Sequence, residues 1–178
     1  ILHTWRIFLE KMVGIIVLQI VLIILNAIFS SAEISVISMN ETKIKQMAEE
    51  GDRRAEKAVL LLEKPAKFLE AIQAAVTFAG LLSGAFVAVY FAELAKSAVM
   101  EVFAGRMIAS EQVIYGVSVI VVTLILTYVN LLFGEILPKR AAMSKSEDDA
   151  FKMIGILFLA AKLFAPLAGL LHISSNIF

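Results

Sequence analysis

The stretch from Met12 to Ser38, MVGIIVLQIVLIILNAIFSSAEISVIS, decides what kind of fold this chain can have. It is apolar for longer than the roughly 20 residues that a helix needs to cross the hydrocarbon core of a bilayer. No water is available there for backbone N–H and C=O groups, so a crossing segment must be helical or belong to a closed barrel. The strict alternation of a barrel strand is missing, and the stretch predicts a helix. Its length, the lack of an Ala-x-Ala cleavage pattern and the polar residues of its second half distinguish it from a signal peptide.

Two more stretches read the same way, about 68–92 and 113–138, so the chain is expected to be an all-α membrane protein with three transmembrane helices, the first over about 12–38. Composition agrees. Of 178 residues 60% are hydrophobic and the mean hydropathy is +0.88, against roughly 45–50% apolar content in soluble domains. Cysteine is absent, which excludes disulfide frameworks, thiolate metal sites and cysteine nucleophiles. His3 and His172 lie near opposite ends of the chain, so neither a zinc cage nor a histidine-based triad is expected. Without a nucleophile–base pair or a metal motif, no enzyme is expected either. Lys plus Arg and Asp plus Glu both number 16, giving a formal net charge of zero, and a nucleic acid would find no basic surface to neutralise its phosphates. Read from Ile1 to Phe178, the chain is expected to be a domain of something longer.

Charge placement predicts the topology. Between the first two spans, residues 40–64 carry both signs of charge and good helix formers, with Gly51-Asp52 as a breaker, which predicts two short helices at the membrane surface. This segment holds Lys43, Lys45, Arg53, Arg54, Lys57 and Lys64, and Lys139, Arg140 and Lys145 follow the third span. Both clusters fall on one side, which the positive-inside bias makes cytoplasmic, with the amino terminus outside. The loop between the second and third spans holds Lys96 and Arg106 beside Glu93, Glu101 and Glu111. The last apolar stretch is interrupted by Lys162 and Pro166. It could be a fourth span, but a lysine in mid-membrane is costly, and juxtamembrane helices at the cytoplasmic interface over 147–176 are the expectation.

Polar groups within a span point to function, so their spacing matters. Asn26, Ser30 and Glu33 recur at i, i+4 and i+7 and share one face of the first helix, flanked by Ser31. Gln73, Thr77, Gly80 and Gly84 make a stripe on the second, where Gly80 and Gly84 also permit close helix approach. Thr123, Thr127, Asn130 and Gly134 repeat the spacing on the third, and Glu135 follows. Taken singly, Ser35, Thr123 and Thr127 are explained by bonding back to their own helix, and Asn26 and Gln73 by bonding between helices. Pro138 has no amide hydrogen for the carbonyl of Gly134, which is expected to be left free beside the Glu135 carboxylate. Unpaired carbonyls of interrupted membrane helices are a recurring way of holding hard cations. With Ser30, Glu33 and Thr77, the expected ligand set is all oxygen, suited to Mg²⁺, Ca²⁺ or Na⁺.

Leu25-Asn26-Ala27-Ile28-Phe29-Ser30-Ser31-Ala32-Glu33, the run from Ala71-Ile72-Gln73 through Gly80-Leu81-Leu82-Ser83-Gly84-Ala85-Phe86, and Phe133-Gly134-Glu135-Ile136-Leu137-Pro138-Lys139 together resemble the transmembrane domain of the CNNM/CorC family, including its hemolysin-like branch. The resemblance runs from about Val13 to the end of the chain. It implies a homodimer in the plasma (cell inner) membrane, followed in full-length proteins by cytoplasmic CBS domains and often a small CorC-type domain. It also implies Mg²⁺ as substrate or bound ion and efflux coupled to Na⁺. Carried over by motif, the metal site would comprise Ser30, Ser31, Glu33, Thr77, Gly134 and Glu135, shaped by Asn26, Gly80 and Pro138. Where Mg²⁺ transporters of the family have a Gly-Asn-x-Leu-Val-Asn pattern, this chain has Ala75-Val76-Thr77-Phe78-Ala79-Gly80. A hydroxyl there replaces amides, which is closer to the hemolysin-like branch, for which export of organic cations such as polyamines is an alternative. A regulatory membrane protein that senses a cation without transporting it is the reading from another class.

Overall fold

A computed structural model describes residues 2–63, 65–102, 110–144 and 147–175. Lys64, Arg106 and Lys145 of the charge pattern lie outside the described residues, as do the side chains of His3 and His172. Every regular element among the described residues is a helix, and three helices are long and apolar enough to cross a membrane.

Helix α1 (Leu2–Ile37) contains the first of these, Glu10–Ile37. Its many Ile and Val residues are only fair helix formers in water. In a bilayer the need to satisfy every backbone group internally outweighs that preference. The chain then turns at Ser38 and Met39, and Asn40 caps α2 (Glu41–Glu49), its side chain accepting from the Lys43 N–H at 3.2 Å. Gly51, with φ of 90°, ends the following turn, where the Gly51 and Asp52 N–H groups donate to the Ala48 and Met47 carbonyls at 3.0 Å. Asp52 starts α3 (Arg53–Glu63) by accepting from the Arg54 N–H at 2.7 Å and pairing with its guanidinium at 3.1 Å. The Arg54 side-chain and backbone donors hold the Asp52 carboxyl below the usual range. The breaker at Gly51-Asp52 thus separates two short helices, as its sequence predicts.

The second crossing helix is α4 (Pro65–Leu82), a π turn over Ser83–Ala88 and α5 (Val89–Val102) in continuous succession. It runs past the expected end near Ala92. Hydropathy falls at Glu93 and Lys96, but these two pair at 2.6 Å on the same helix, and Lys96 also reaches Glu111 of the third span at 3.7 Å. The third is α6 (Glu111–Leu131), a π turn over Leu132–Ile136 and α7 (Leu137–Met143). It too outlasts its expected boundary, since the helix continues through Pro138. Helices α8 (Glu147–Leu163) and α9 (Ala165–Ser175) follow, parted at Phe164, with Pro166 in the first turn of α9 where its missing N–H is tolerated.

The crossing helices leave much of their apolar surface exposed, Ile24, Ile120 and Leu124 among it, as lipid-facing helices do. The conventional core lies at one end of the bundle, where the last turns of α1 meet α2, α3, α4 and α8. Ala32, Ile44, Ala55, Ala58, Leu61, Ile72 and Leu157 are buried there, and the Arg54 guanidinium lies over the Phe151 ring at 5.2 Å. Leu61 is fully buried, so Leu61→Ala is expected to destabilise the detergent-solubilised chain by about 2–5 kcal/mol in thermal unfolding. An unchanged melting temperature would mean that α3 does not pack on the bundle.

Candidate functional site

The first and third spans run parallel, and their register is pinned at three levels. At the deepest, Asn26 of α1 is 4% exposed and faces the π turn of the third span, its Nδ2 donating to Asn130 Oδ1 across a long 3.5 Å. Gly134 of the π turn is what admits this approach. A Cβ placed on it would lie 3.0 Å from Asn130 Oδ1 and 3.1 Å from Asn26 Cβ, closer than side chains normally come. One turn on, Ser31 donates its hydroxyl to the Pro138 carbonyl at 3.4 Å. At the third level, Lys139 Nζ lies 3.0 Å from Glu33 Oε2 and 2.9 Å from Glu135 Oε1.

The π turn has a local cause. Pro138 offers no N–H to the carbonyl four residues back, and its ring crowds that carbonyl. Instead of breaking, the helix widens by one residue, and the Leu137 N–H donates to the Leu132 carbonyl. This corrects the expectation of an interrupted helix. Pro138 still withholds the usual donor from Gly134, but within a continuous helix whose widened turn carries Gly134 against Asn26.

Between Asn26 and Glu33, on the same face of α1, Ser30 has no exposed surface, and its Oγ has no hydrogen-bond partner. The Oδ1 of Asn26 has none either. Buried polar atoms are nearly always partnered, since an unpartnered one costs about 1–3 kcal/mol. These two oxygens, a hydroxyl and an amide on consecutive turns of α1, are neutral donors of the kind a hard cation takes, and the Asn26 side chain lies against Gly134. Their chemistry is compatible with Mg²⁺ or Na⁺, and the carboxylates of Glu33 and Glu135 lie about one to two turns away. Among the described residues no three of His, Cys, Asp or Glu come together, so any cation held here depends on neutral oxygens and this carboxylate pair. Ser35 returns its hydroxyl to the Ser31 carbonyl at 2.8 Å, the local bond its spacing allows.

The second span contributes less directly than the motif suggests. It packs on α1, α8 and α9, with Ala71, Ile72, Ala75 and Ala79 buried, and Gln73 and Thr77 lie on the exposed side of the single chain. Thr77 is therefore not brought to Asn26 and Ser30 within one chain. Gly80 does face the third span, where a Cβ would meet Asn130 Nδ2 at an ordinary 3.9 Å. With Ser83, Gly84, Thr123, Thr127 and Asn130 it lines a cleft of about 240 Å³ that shares Asn130 with the site.

Four participants are missing from the candidate set read off the sequence. Asn130 had a signal, its place on the polar stripe of the third span. Lys139 has two signals, as a charge that orients the chain and as the last residue of the Phe133–Lys139 motif. Gln19 and Ser83, joined at 2.6 Å and both buried, fasten the first span to the second. The signal for Gln19 was its isolation within an otherwise apolar run.

Comparison with known proteins adds the family context. The profile of the Cyclin M transmembrane N-terminal domain, CNNM, matches residues 17–178. A UPF0053 protein of Synechocystis is 35% identical over 161 residues, covering 88% of this chain and 34% of that protein. A protein of Haemophilus influenzae named polyamine export protein is 28% identical over 159 residues, 89% of this chain and 35% of its own length. A UPF0053 inner membrane protein of Escherichia coli is 26% identical over 149 residues, 83% of this chain and 30% of its own length. The chain thus spans about a third of the length of the curated relatives it matches.

Proposed function

Because the chain belongs to the Cyclin M transmembrane N-terminal domain family, we propose that it binds a hard cation between its first and third spans and carries it across the bilayer, with Mg²⁺ as cargo and Na⁺ entry as the driving force. The observation that supports this reading is the pair of buried, unpartnered oxygens, Ser30 Oγ and Asn26 Oδ1, against the π turn that holds Gly134. A cation would give both the partner they lack. The site shares Asn130 with a cleft between the second and third spans that also carries the hydroxyls of Ser83, Thr123 and Thr127, which offers a route away from it. Binding would favour one conformation of the bundle, and the coupled ion would return it.

Gln73 and Thr77 are polar and exposed on a crossing helix, and a second copy of the chain would cover them where lipid would not. A homodimer could in that way bring Thr77 to a cation site. The basic residues of α2, α3 and α7 would place these helices in the cytoplasm of a plasma-membrane protein, with α8 and α9 at the interface and CBS domains beyond.

Ser30→Ala removes one ligand and leaves an apolar group in an apolar setting, so folding is expected to survive. The rise in melting temperature of the full chain on adding Mg²⁺ is expected to shrink to nothing at concentrations that stabilise the wild type. An undiminished Mg²⁺ shift in Ser30→Ala would reject Ser30 as a ligand.

A second reading, export of an organic cation, is supported by a specific observation. Glu33 and Glu135 together already hold a primary ammonium, that of Lys139, at 3.0 and 2.9 Å, which is the chemistry a polyamine would present. Stabilisation by a polyamine and none by Mg²⁺ would select this reading.

A further inference from the structure

We propose that Lys139 is a tethered competitor of the cargo and sets which cation charge the site accepts. The inference rests on the site proposed above and adds its selectivity. Lys139 Nζ bridges Glu33 Oε2 at 3.0 Å and Glu135 Oε1 at 2.9 Å, and all three side chains are only partly exposed, at 27%, 22% and 35%. An ammonium held between two carboxylates is already the complex that a cationic cargo would form with them. The tether is short and well aimed. Glu135 and Lys139 lie four residues apart on the third span, and Glu33 is presented by α1 in a register that Asn26, Gly134 and the Ser31–Pro138 bond hold in place.

With Lys139 in position the three charged groups sum to a single negative charge, and a cargo approaching the carboxylates meets the ammonium first. It binds when the ammonium withdraws, which the flexible four-carbon stem of lysine permits. The apparent affinity is then the intrinsic affinity reduced by the fraction of time Lys139 is withdrawn. Such weakening suits a carrier, since a cation held by two uncompensated carboxylates and two neutral oxygens would be released slowly. Returning to its partners, Lys139 would also replace the departing cargo, so the carboxylate pair need not stand uncompensated. A neutral residue at 139 leaves two negative charges, which match a divalent ion better than a monovalent one.

The test is the melting temperature of the full chain in detergent, titrated with MgCl₂ and separately with NaCl at constant ionic strength, in wild type, Lys139→Met, Lys139→Arg and Ser30→Ala. Lys139→Met is expected to melt lower without cation and to reach its half-maximal Mg²⁺ shift at a concentration about tenfold or more below wild type. Its Na⁺ midpoint should move less, and Lys139→Arg should stay near wild type. Lys139→Gln serves in its place if the methionine variant does not fold. An Mg²⁺ midpoint in the neutral variant equal to or above wild type overturns the proposal. If Ser30→Ala has meanwhile lost the wild-type shift, the site stands and only the role of Lys139 falls. A tightened midpoint in Lys139→Met alongside an intact shift in Ser30→Ala upholds the competition and rejects Ser30 as a ligand. No shift in wild type or in the neutral variants overturns both.

Discussion

Replacing Gly134 with alanine is expected to abolish Mg²⁺-dependent stabilisation and to cut cation flux about tenfold or more. The reason is steric. The new methyl would lie 3.0 Å from Asn130 Oδ1 and 3.1 Å from Asn26 Cβ, and the obstructing atoms belong to short side chains packed between two helices. Neither asparagine can swing clear without giving up its hydrogen bond to the other, so the first and third spans must move apart. Overpacking of this kind costs about 1–3 kcal/mol, which lowers the melting temperature without unfolding the chain. The larger effect falls on the site, because Asn26 and Ser30 are carried by the helix that is displaced. Cation-dependent melting in Gly134→Ala, beside the same titration in wild type, is the check. An alanine variant that binds and transports normally would show that close contact at this point is not required.

Glu135→Gln is expected to have a comparable effect by electrostatics alone. In the native chain Glu33, Glu135 and Lys139 sum to one negative charge, and in the variant they sum to zero, with Lys139 left to Glu33. A cation would then find neutral oxygens and no net charge, and its affinity should fall by about tenfold or more. Thr127→Val is the matched control. Thr127 lines the cleft beyond Asn130 and is exposed, so its loss should leave cation-dependent melting intact. Equal losses in the two variants would contradict this location of the site.

Much of this arrangement is legible in the residues themselves. An apolar stretch long enough to span a bilayer has few alternatives to a helix, and the spacing of Asn26, Ser30 and Glu33 puts them on one face whatever that face touches. Pro138 announces a disturbance at Gly134. Its form is harder to read, because a missing N–H can be met by a break or by a widened turn, and the choice depends on what α1 presents to Gly134. Thr77 shows a different difficulty. Periodicity assigns it to a stripe with Gln73 and Gly80, but the stripe is wide, and the alanines of the second span decide which edge of it meets the first. The end of the second span is blurred because hydropathy registers Glu93 and Lys96 as polar and does not register that they pair along a helix. Lys139 was hidden for a simpler reason: one basic residue beyond a span serves equally well as a topological signal and as a partner for carboxylates, and only its placement separates the two.

The most direct test of cation carriage is flux through the full chain reconstituted in liposomes, with Mg²⁺ followed by an enclosed indicator and Na⁺ gradients of either direction imposed. Mg²⁺ movement that depends on the Na⁺ gradient and is lost in Gly134→Ala is the expected result. Stabilisation of the chain by Mg²⁺ with no flux under any gradient would contradict it and leave a cation-sensing membrane protein in its place.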